Sequence, residues 1–310
     1  MNDPIDESGI LQAVAAANDR LPASVLIPPG DDMALLEVGT ARLLVAVDQV
    51  VSGVHFVAAT PIDLIARKAI ARNVSDVAAM AGIPVATLAS ATLPREMSQQ
   101  SAQQLLESVR RFAEEFGAPL IGGDTAVHKA ANAPLVLSVT ILARPRADGM
   151  VITRQGARAG DKLIVSGPLG GSFGADGLGR HLTFLPRTQE AQALVDQLGS
   201  QVHAMIDISD GLGCDCARMM RASSKHGGSS LQARLDADRI PCHGGVPVRD
   251  AVGDGEDHEL LAAIDGGAAV PFGFTMIGEV CARPVEEAPL VALLVGDDLE
   301  DATDWGWNHA

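Results

Sequence analysis

Two kinds of apolar run alternate along this chain. Residues 42–51 and 85–93 are nearly continuous in apolar character and rich in β-branched side chains, which predicts buried strands. Residues 62–81 have helical spacing, with Pro61 ahead of the first turn and Gly82 past the last, the usual order of helix punctuation. Residues 98–116 form an amphipathic helical pattern closed by Gly117, and residues 7–18 also read as helix. Short strands at 119–121 and 134–142 flank a double glycine. The stretch 144–160, with Pro145, Gly149, Gly156 and Gly160, is the best boundary. A second set follows it: strand 162–166, a glycine-rich turn at 167–171, helix 188–198, strand 204–206 and helix 210–226. Strands at 231–235, 259–264, 274–280 and 289–294 complete it. The grammar predicts an α/β (α+β) fold of two domains, 1–147 and 148–310, with a cleft between them.

At 310 residues the chain is long enough for two cores. Aromatic residues are only 3% and Tyr is absent, so those cores must be built from Val, Ile, Leu and Ala. The net charge of −16 argues against a nucleic-acid partner, which would draw on clustered cations. It leaves room for a phosphorylated small molecule if metal ions offset the repulsion. The first residues are acidic with no apolar segment behind them, and residues 77–93 are broken by Gly82 and Pro84. The expectation is a cytoplasmic chain with neither signal peptide nor membrane span. The four cysteines, Cys214, Cys216, Cys242 and Cys281, have the wrong spacing for a zinc site and read as reduced thiols.

Against that background the acidic side chains are unusual. Asp32 follows Gly30-Asp31 in a turn, where bonding to its own backbone is the simple explanation. Asp48 lies in an apolar strand, and a buried charge there needs a partner or a metal. Asp76 stands within a helical pattern after Ser75, with no capping role; a salt bridge to Arg72 or Lys68 is the alternative to a site. Gly122-Gly123-Asp124-Thr125 reads as a glycine loop whose backbone N–H groups could face an anion. Asp207 and Asp210 bracket Ser209 ahead of a helix whose N-terminus could hold phosphate, and capping explains only one of the two. Glu256 lies in an acidic loop that solvation alone could explain, His55 reads by itself as structural, and Arg154 is a candidate phosphate fork. Dispersed carboxylates beside glycines suit hard cations bridging phosphates. The sequence has no Gly-x4-Gly-Lys loop, no dinucleotide glycine turn and no nucleophile elbow.

Taken in order, Gly30-Asp31-Asp32-Met33-Ala34-Leu35-Leu36, Asp48 with Gly53-Val54-His55-Phe56, Lys68-Ala69 with Asn73-Val74-Ser75-Asp76, Gly122-Gly123-Asp124-Thr125, Thr153-Arg154-Gln155-Gly156, Asp207-Ile208-Ser209-Asp210-Gly211, Gly255-Glu256-Asp257-His258-Glu259 and the tail Trp305-Gly306-Trp307-Asn308-His309 form one set. This set resembles the thiamine-monophosphate kinase family, within the aminoimidazole ribonucleotide synthetase-like superfamily. The resemblance implies a two-domain fold whose N-terminal strands pair across a homodimer, with ATP and several Mg²⁺ ions between the domains. It implies metal ligation by Asp32, Asp48, Asp76, Asp124, Asp207 and Asp210. ATP would be touched by Gly123, Asp124, Arg154 and Ser209, and thiamine monophosphate by His55, Glu256 and Trp307, with Trp307 stacking on the cationic ring system. The implied reaction is in-line phosphoryl transfer from ATP to thiamine monophosphate, giving thiamine diphosphate. The nucleophile is already an anion, so no general base is assigned. Three departures stand out. Ala46 and Val47 precede Asp48 where that family usually has hydroxyls, Val127-His128 stand where an arginine is common, and Gly170-Gly171-Ser172 replaces a Gly-Asp-Ser turn. The alternatives are another ATP-dependent enzyme of the superfamily, or a nucleotide-binding regulatory protein without catalysis.

Overall fold

The computed structural model describes residues 9–10, 13–14 and 16–307. The helix expected at 7–18 lies largely outside these residues; those described at 9–10 and 13–14 are helical. The first half contains β1 (Val25–Ile27), β2 (Ala34–Val38), β3 (Ala41–Val51), α1 (Ile62–Ala79), β4 (Ile83–Leu93), α2 (Gln99–Glu115), β5 (Leu120–Val127) and β6 (Val136–Arg144). Its strands form one sheet in the order β1-β2-β3-β6-β4-β5, antiparallel except for the β4–β5 pair. In β6, fully buried Leu137, Val139, Ile141 and Ala143 alternate with half-buried Ser138, Thr140 and Leu142, because successive side chains face opposite sides. One face therefore packs against α1 and α2. The other is open, and Val47 there is 65% exposed. The expectation that these strands are covered on both faces does not hold for the isolated chain.

The second half holds β7 (Lys162–Val165), α3 (Thr188–Leu198), β8 (Val202–Asp207), α4 (Leu212–Gly227), β9 (Leu231–Asp236), α5 (Val248–Gly253), β10 (Leu260–Ile264), β11 (Thr275–Ala282), β12 (Val291–Val295) and β13 (Asp298–Asp301). The sheet order is β13-β12-β9-β11-β7-β10-β8. Here both faces are covered. Along β10, Leu261 and Ala263 join one apolar cluster with α4, whereas Leu260, Ala262 and Ile264 join another with α3. Such a strand must be apolar at every position, as this one is.

The helix α1 links the two halves. Thirteen of its eighteen residues are buried, far more than one apolar stripe supplies. Ile65, Ile70, Val74 and Val77 pack under the first sheet, and Ala78 and Ala79 pack with Ile152, Ile164 and Leu194 of the second half. Its small residues let elements from both sides approach closely. Ala81, at φ 51°, then turns the chain back into β4. Among the described residues no helix is long and apolar enough to cross a membrane.

Candidate functional site

Strand ends bring the acidic residues together across the two halves. β2 meets β3 only from Val45 outward, so the Asp31-Asp32 turn lies beside the unpaired edge of β3 at residues 46–48. α1 faces that edge and offers Arg72, Ser75 and Asp76. From the second half, the β8–β10 ladder continues past both strand ends. Ile208 N–H donates to Glu259 O (2.7 Å), His258 N–H to Ile208 O (2.8 Å) and Glu256 N–H to Ser209 O (2.7 Å). Glu256 and His258 both adopt left-handed backbone (φ 55° and 51°), which is uncommon for non-glycine residues and typical of over-determined functional sites. The twist turns both side chains inward, where they are buried.

Oxygens of Asp32, Asp76 and Asp207 lie within 4.8 Å of one another. They line an open cavity of about 310 Å³ together with Ala46, Val47, Asp48, Arg72, Arg154, Ser209, Asp210, Arg218 and His258. Charge balance is incomplete. Asp32 Oδ1 accepts from Arg154 (Nη2 2.5 Å, Nε 3.1 Å), while its Oδ2 is buried with no hydrogen-bond partner. Burial, only partly offset by Arg154, pushes the Asp32 carboxyl up to about 7. Asp76 makes no ion pair. Burial and the neighbouring Asp48, Asp207 and Asp32 raise it well above the ordinary carboxylate range. Burial works the same way on Asp207, but bonds from His258 Nδ1 (3.1 Å) and Ser75 Oγ (2.6 Å) outweigh it and hold Asp207 below its usual value. One ionised carboxylate, one proton-loving carboxylate and one orphaned oxygen share a wet cavity. That donor set fits a hard divalent cation, which would displace the protons and take up the unpartnered oxygen.

A narrow recess adjoins this cavity, lined by Val54, His55, Arg72, Phe173, Ser209, Asp210, Glu256 and Trp307. Trp307 and Phe173 stack at 6.0 Å between ring centroids, and His181 stacks on Phe173 at 4.5 Å. Below them Lys68 is wholly buried. Its Nζ donates to His55 O (2.7 Å), meets His181 Nδ1 (2.8 Å) and pairs with Glu256 Oε2 (3.0 Å). Burial, against the pull of Glu256, brings Lys68 down to about 8. Although burial opposes it, the bonds and charges of His258, Arg72 and Lys68 keep Glu256 well below its ordinary value. His258 spans the gap between Glu256 and Asp207. Those two carboxylates overcome its burial and raise it to about 8. His55 accepts the Val51 N–H at Nδ1 (3.0 Å), which fixes its ring.

Most of the residues singled out in the sequence meet here. Asp32, Asp48, Asp76, Asp207, Asp210, Arg154 and Ser209 line the larger cavity; His55, Glu256 and Trp307 line the recess. The salt bridge considered for Asp76 is not formed, because Arg72 pairs with Asp48 and Glu256 and Lys68 with Glu256.

Gly123 and Asp124 lie elsewhere. The glycine segment is not a loop but part of the edge strand β5. A Cβ on Gly123 would fall 1.9 Å from Ala89 O, so this glycine is needed for the approach of β4. Asp124 pairs in register with Ser90, one step along from the Gly123–Ala89 pair, and so points to the sheet's open face. The helix N-terminus after Asp210 also departs from expectation. The N–H groups of Ser209, Asp210 and Gly211 all donate to Asp215 Oδ2 (2.9–3.1 Å), a residue of the helix itself. This carboxylate occupies the anion position, and nothing but its spacing after Gly211 marked it in the sequence. Phe173 was likewise missed, for it sits in a glycine-rich stretch with no periodicity.

Comparison with known proteins identifies the family. A family model described as AIR synthase related protein, N-terminal domain, matches residues 30–144. The thiamine-monophosphate kinase of Rhodopirellula baltica is 31% identical over 97% of this chain and 86% of its own length. That of Mycobacterium tuberculosis is 33% identical, covering 92% and 87%. In fold, the chain superposes on AaThiL complexed with AMPPCP and TMP with a TM-score of 0.79 at 24% identity, over 98% and 97% of the two chains. The chain belongs to the thiamine-monophosphate kinase family.

Proposed function

We propose that this chain transfers the γ-phosphoryl group of ATP to thiamine monophosphate, giving ADP and thiamine diphosphate. The observation that carries the reading is the triad Asp32, Asp76 and Asp207, with a buried, unpartnered oxygen on Asp32, opening directly onto an aromatic recess. Mg²⁺ held by Asp32, Asp48, Asp76, Asp207 and Asp210 would shield the polyphosphate from the acceptor phosphate and lower the cost of charge build-up. At about 4 Å two unit charges otherwise repel by roughly 4 kcal/mol at an effective dielectric of about 20.

The chain's own residues do the positioning. Arg154 and Ser209 face the ATP phosphates from the larger cavity. Trp307 and Phe173 offer aromatic faces to a cationic ring, with Glu256 as its counter-charge. His55, its ring fixed by the Val51 N–H, would meet the acceptor from the wall of the recess. No residue needs to remove a proton, since the attacking phosphate oxygen is already anionic. Gly123 and Asp124, on the edge strand β5, line neither cavity of this chain and stay in the reading as proposed contacts to ATP and Mg²⁺.

We place the division between the halves at 147/148. The open face of the first sheet would pair two chains as a homodimer; Val47, Thr140 and Leu88 lie in one row across three neighbouring strands there, with Leu88 38% exposed. The test is product detection with ATP, Mg²⁺ and thiamine monophosphate, beside other phosphate acceptors. Thiamine diphosphate should form. ATP binding without it would overturn the reading in favour of a regulatory nucleotide-binding role, which the loss of hydroxyls at Ala46 and Val47 would then explain.

A further inference from the structure

The larger cavity and the recess share three lining residues, Arg72, Ser209 and Asp210, and Arg72 is the cation among them. A phosphoryl group passing from one cavity to the other must pass this guanidinium. We infer that Arg72 grips the acceptor's phosphate at the point of transfer. The inference rests on the activity proposed above and adds to it a residue that the family resemblance did not point to.

Four observations support it. The recess is otherwise acidic, since Asp210 and Glu256 line it, and a phosphorylated acceptor would be repelled without a fixed positive charge. The other nearby cations are committed or misplaced. Lys68 is wholly buried under Phe173 and surrounded by Glu256, His181 and the His55 carbonyl, whereas Arg154 and Arg218 line the larger cavity alone. The contacts of Arg72 are long, 3.3 Å from Nε to Asp48 and 3.4 Å from Nη1 to Glu256, in a side chain with five N–H donors. The planar fork can take two phosphate oxygens while still neighbouring both carboxylates. Finally, Arg72 lines the same cavity as Ala46 and Val47, where side-chain oxygens for a cation are missing, so a protein-borne charge serves where a further ion would be poorly held.

In the step itself a lone pair on the acceptor phosphate oxygen forms the new bond to the γ-phosphorus. The bond from that phosphorus to the β,γ-bridging oxygen breaks, and its electron pair leaves with ADP. No proton moves, and Arg72 is unchanged. Its part is to hold the acceptor phosphate in line and to balance the charge that gathers between the two phosphates.

Equilibrium binding of thiamine monophosphate and of thiamine separates this role from a structural one. With Mg²⁺ and a non-hydrolysable ATP analogue present, calorimetry should show that the wild-type chain prefers the phosphorylated compound. Loss of a charge-assisted phosphate grip in Arg72→Gln should shrink that preference by roughly 10–100-fold while thiamine binding stays within about threefold, and turnover should fall at least as far. Arg72→Lys, which keeps charge without the fork, should retain part of the preference. Equal loss of both compounds in the two variants would mark a purely structural arginine and overturn the inference, as would an undiminished preference in Arg72→Gln. A wild-type chain that binds thiamine monophosphate without forming product would instead overturn the activity and leave the grip standing.

Discussion

Asp76→Asn should make the metal-free protein more stable and at the same time deaf to magnesium. Asp76 is half-buried, makes no ion pair and is ringed by Asp48, Asp207 and Asp32, so desolvation and its neighbours raise its carboxyl well above the ordinary range. A carboxyl that stays protonated in the fold but ionises when unfolded costs about 1.4 kcal/mol for each pH unit above its free value. At pH 7 the ceiling is about 4 kcal/mol, and water in the open cavity brings a realistic figure to about 1–3 kcal/mol. The sign follows from the raised folded value: the cost is absent below pH 3.8 and grows as pH climbs toward the folded pKa. Asparagine removes it. With about 2.1 cal/mol/K of unfolding entropy per residue, 310 residues give roughly 0.65 kcal/mol/K, so Tm should rise by about 2–5 °C. Magnesium at 100 times its Kd should stabilise the wild-type chain by about 2.7 kcal/mol, or roughly 4 °C. The variant, lacking a ligand oxygen, should show little of that. Thermal unfolding with and without Mg²⁺, at pH 5 to 8, reads both effects. A variant that is less stable without metal, and as responsive to Mg²⁺ as the wild type, would refute the carboxylate-crowding account.

Two further outcomes follow from the same geometry. Magnesium binding should release protons, because Asp32, near 7, must ionise and Asp76 is raised well above the ordinary carboxylate range; affinity should climb as pH rises toward 7, roughly tenfold per unit while one proton is displaced. Calorimetry in buffers of different ionisation enthalpy checks this, and buffer-independent heats would count against it. Gly123→Ala should cost about 1–3 kcal/mol or more through its clash with the Ala89 carbonyl, read as a lowered unfolding midpoint. A variant of full stability would show that β5 can shift away from β4.

Much of this architecture could be read from the residues, for identifiable reasons. Helix α1 begins at Ile62 as expected because Pro61 and Gly82 punctuate it, and strand β10 was legible because every position in it is apolar. The short β1 and β2 were not, since three to five residues carry too little periodicity to register. The double glycine misled. Read locally it is a loop, but Gly123 is there so that two strands can lie close, a requirement set by Ala89 thirty-four residues away. Once that segment is a strand, its two-residue alternation turns Asp124 to the sheet's open face, the face that carries Val47. Asp215 was invisible for the converse reason. Its carboxylate caps the turn before its own helix, and a residue one turn inside a helix gives no sign of reaching back. The Lys68–Glu256–His258–Asp207 chain joins Lys68 to residues more than a hundred positions away, and only the fold reveals it.

The helix α1 serves as a common wall for both sheets, and it carries Lys68, Arg72, Ser75 and Asp76 on three successive turns. A hinge between the halves would have to tear one of the two alanine-lined seams along that rod. The cavity-lining groups on it are thus insulated from rocking of either sheet, and adjustment on ligand entry falls to the short strand-end segments around Asp32 and Glu256. Cutting the gene at the junction would orphan the rod's second seam, leaving neither fragment a complete wall to fold against.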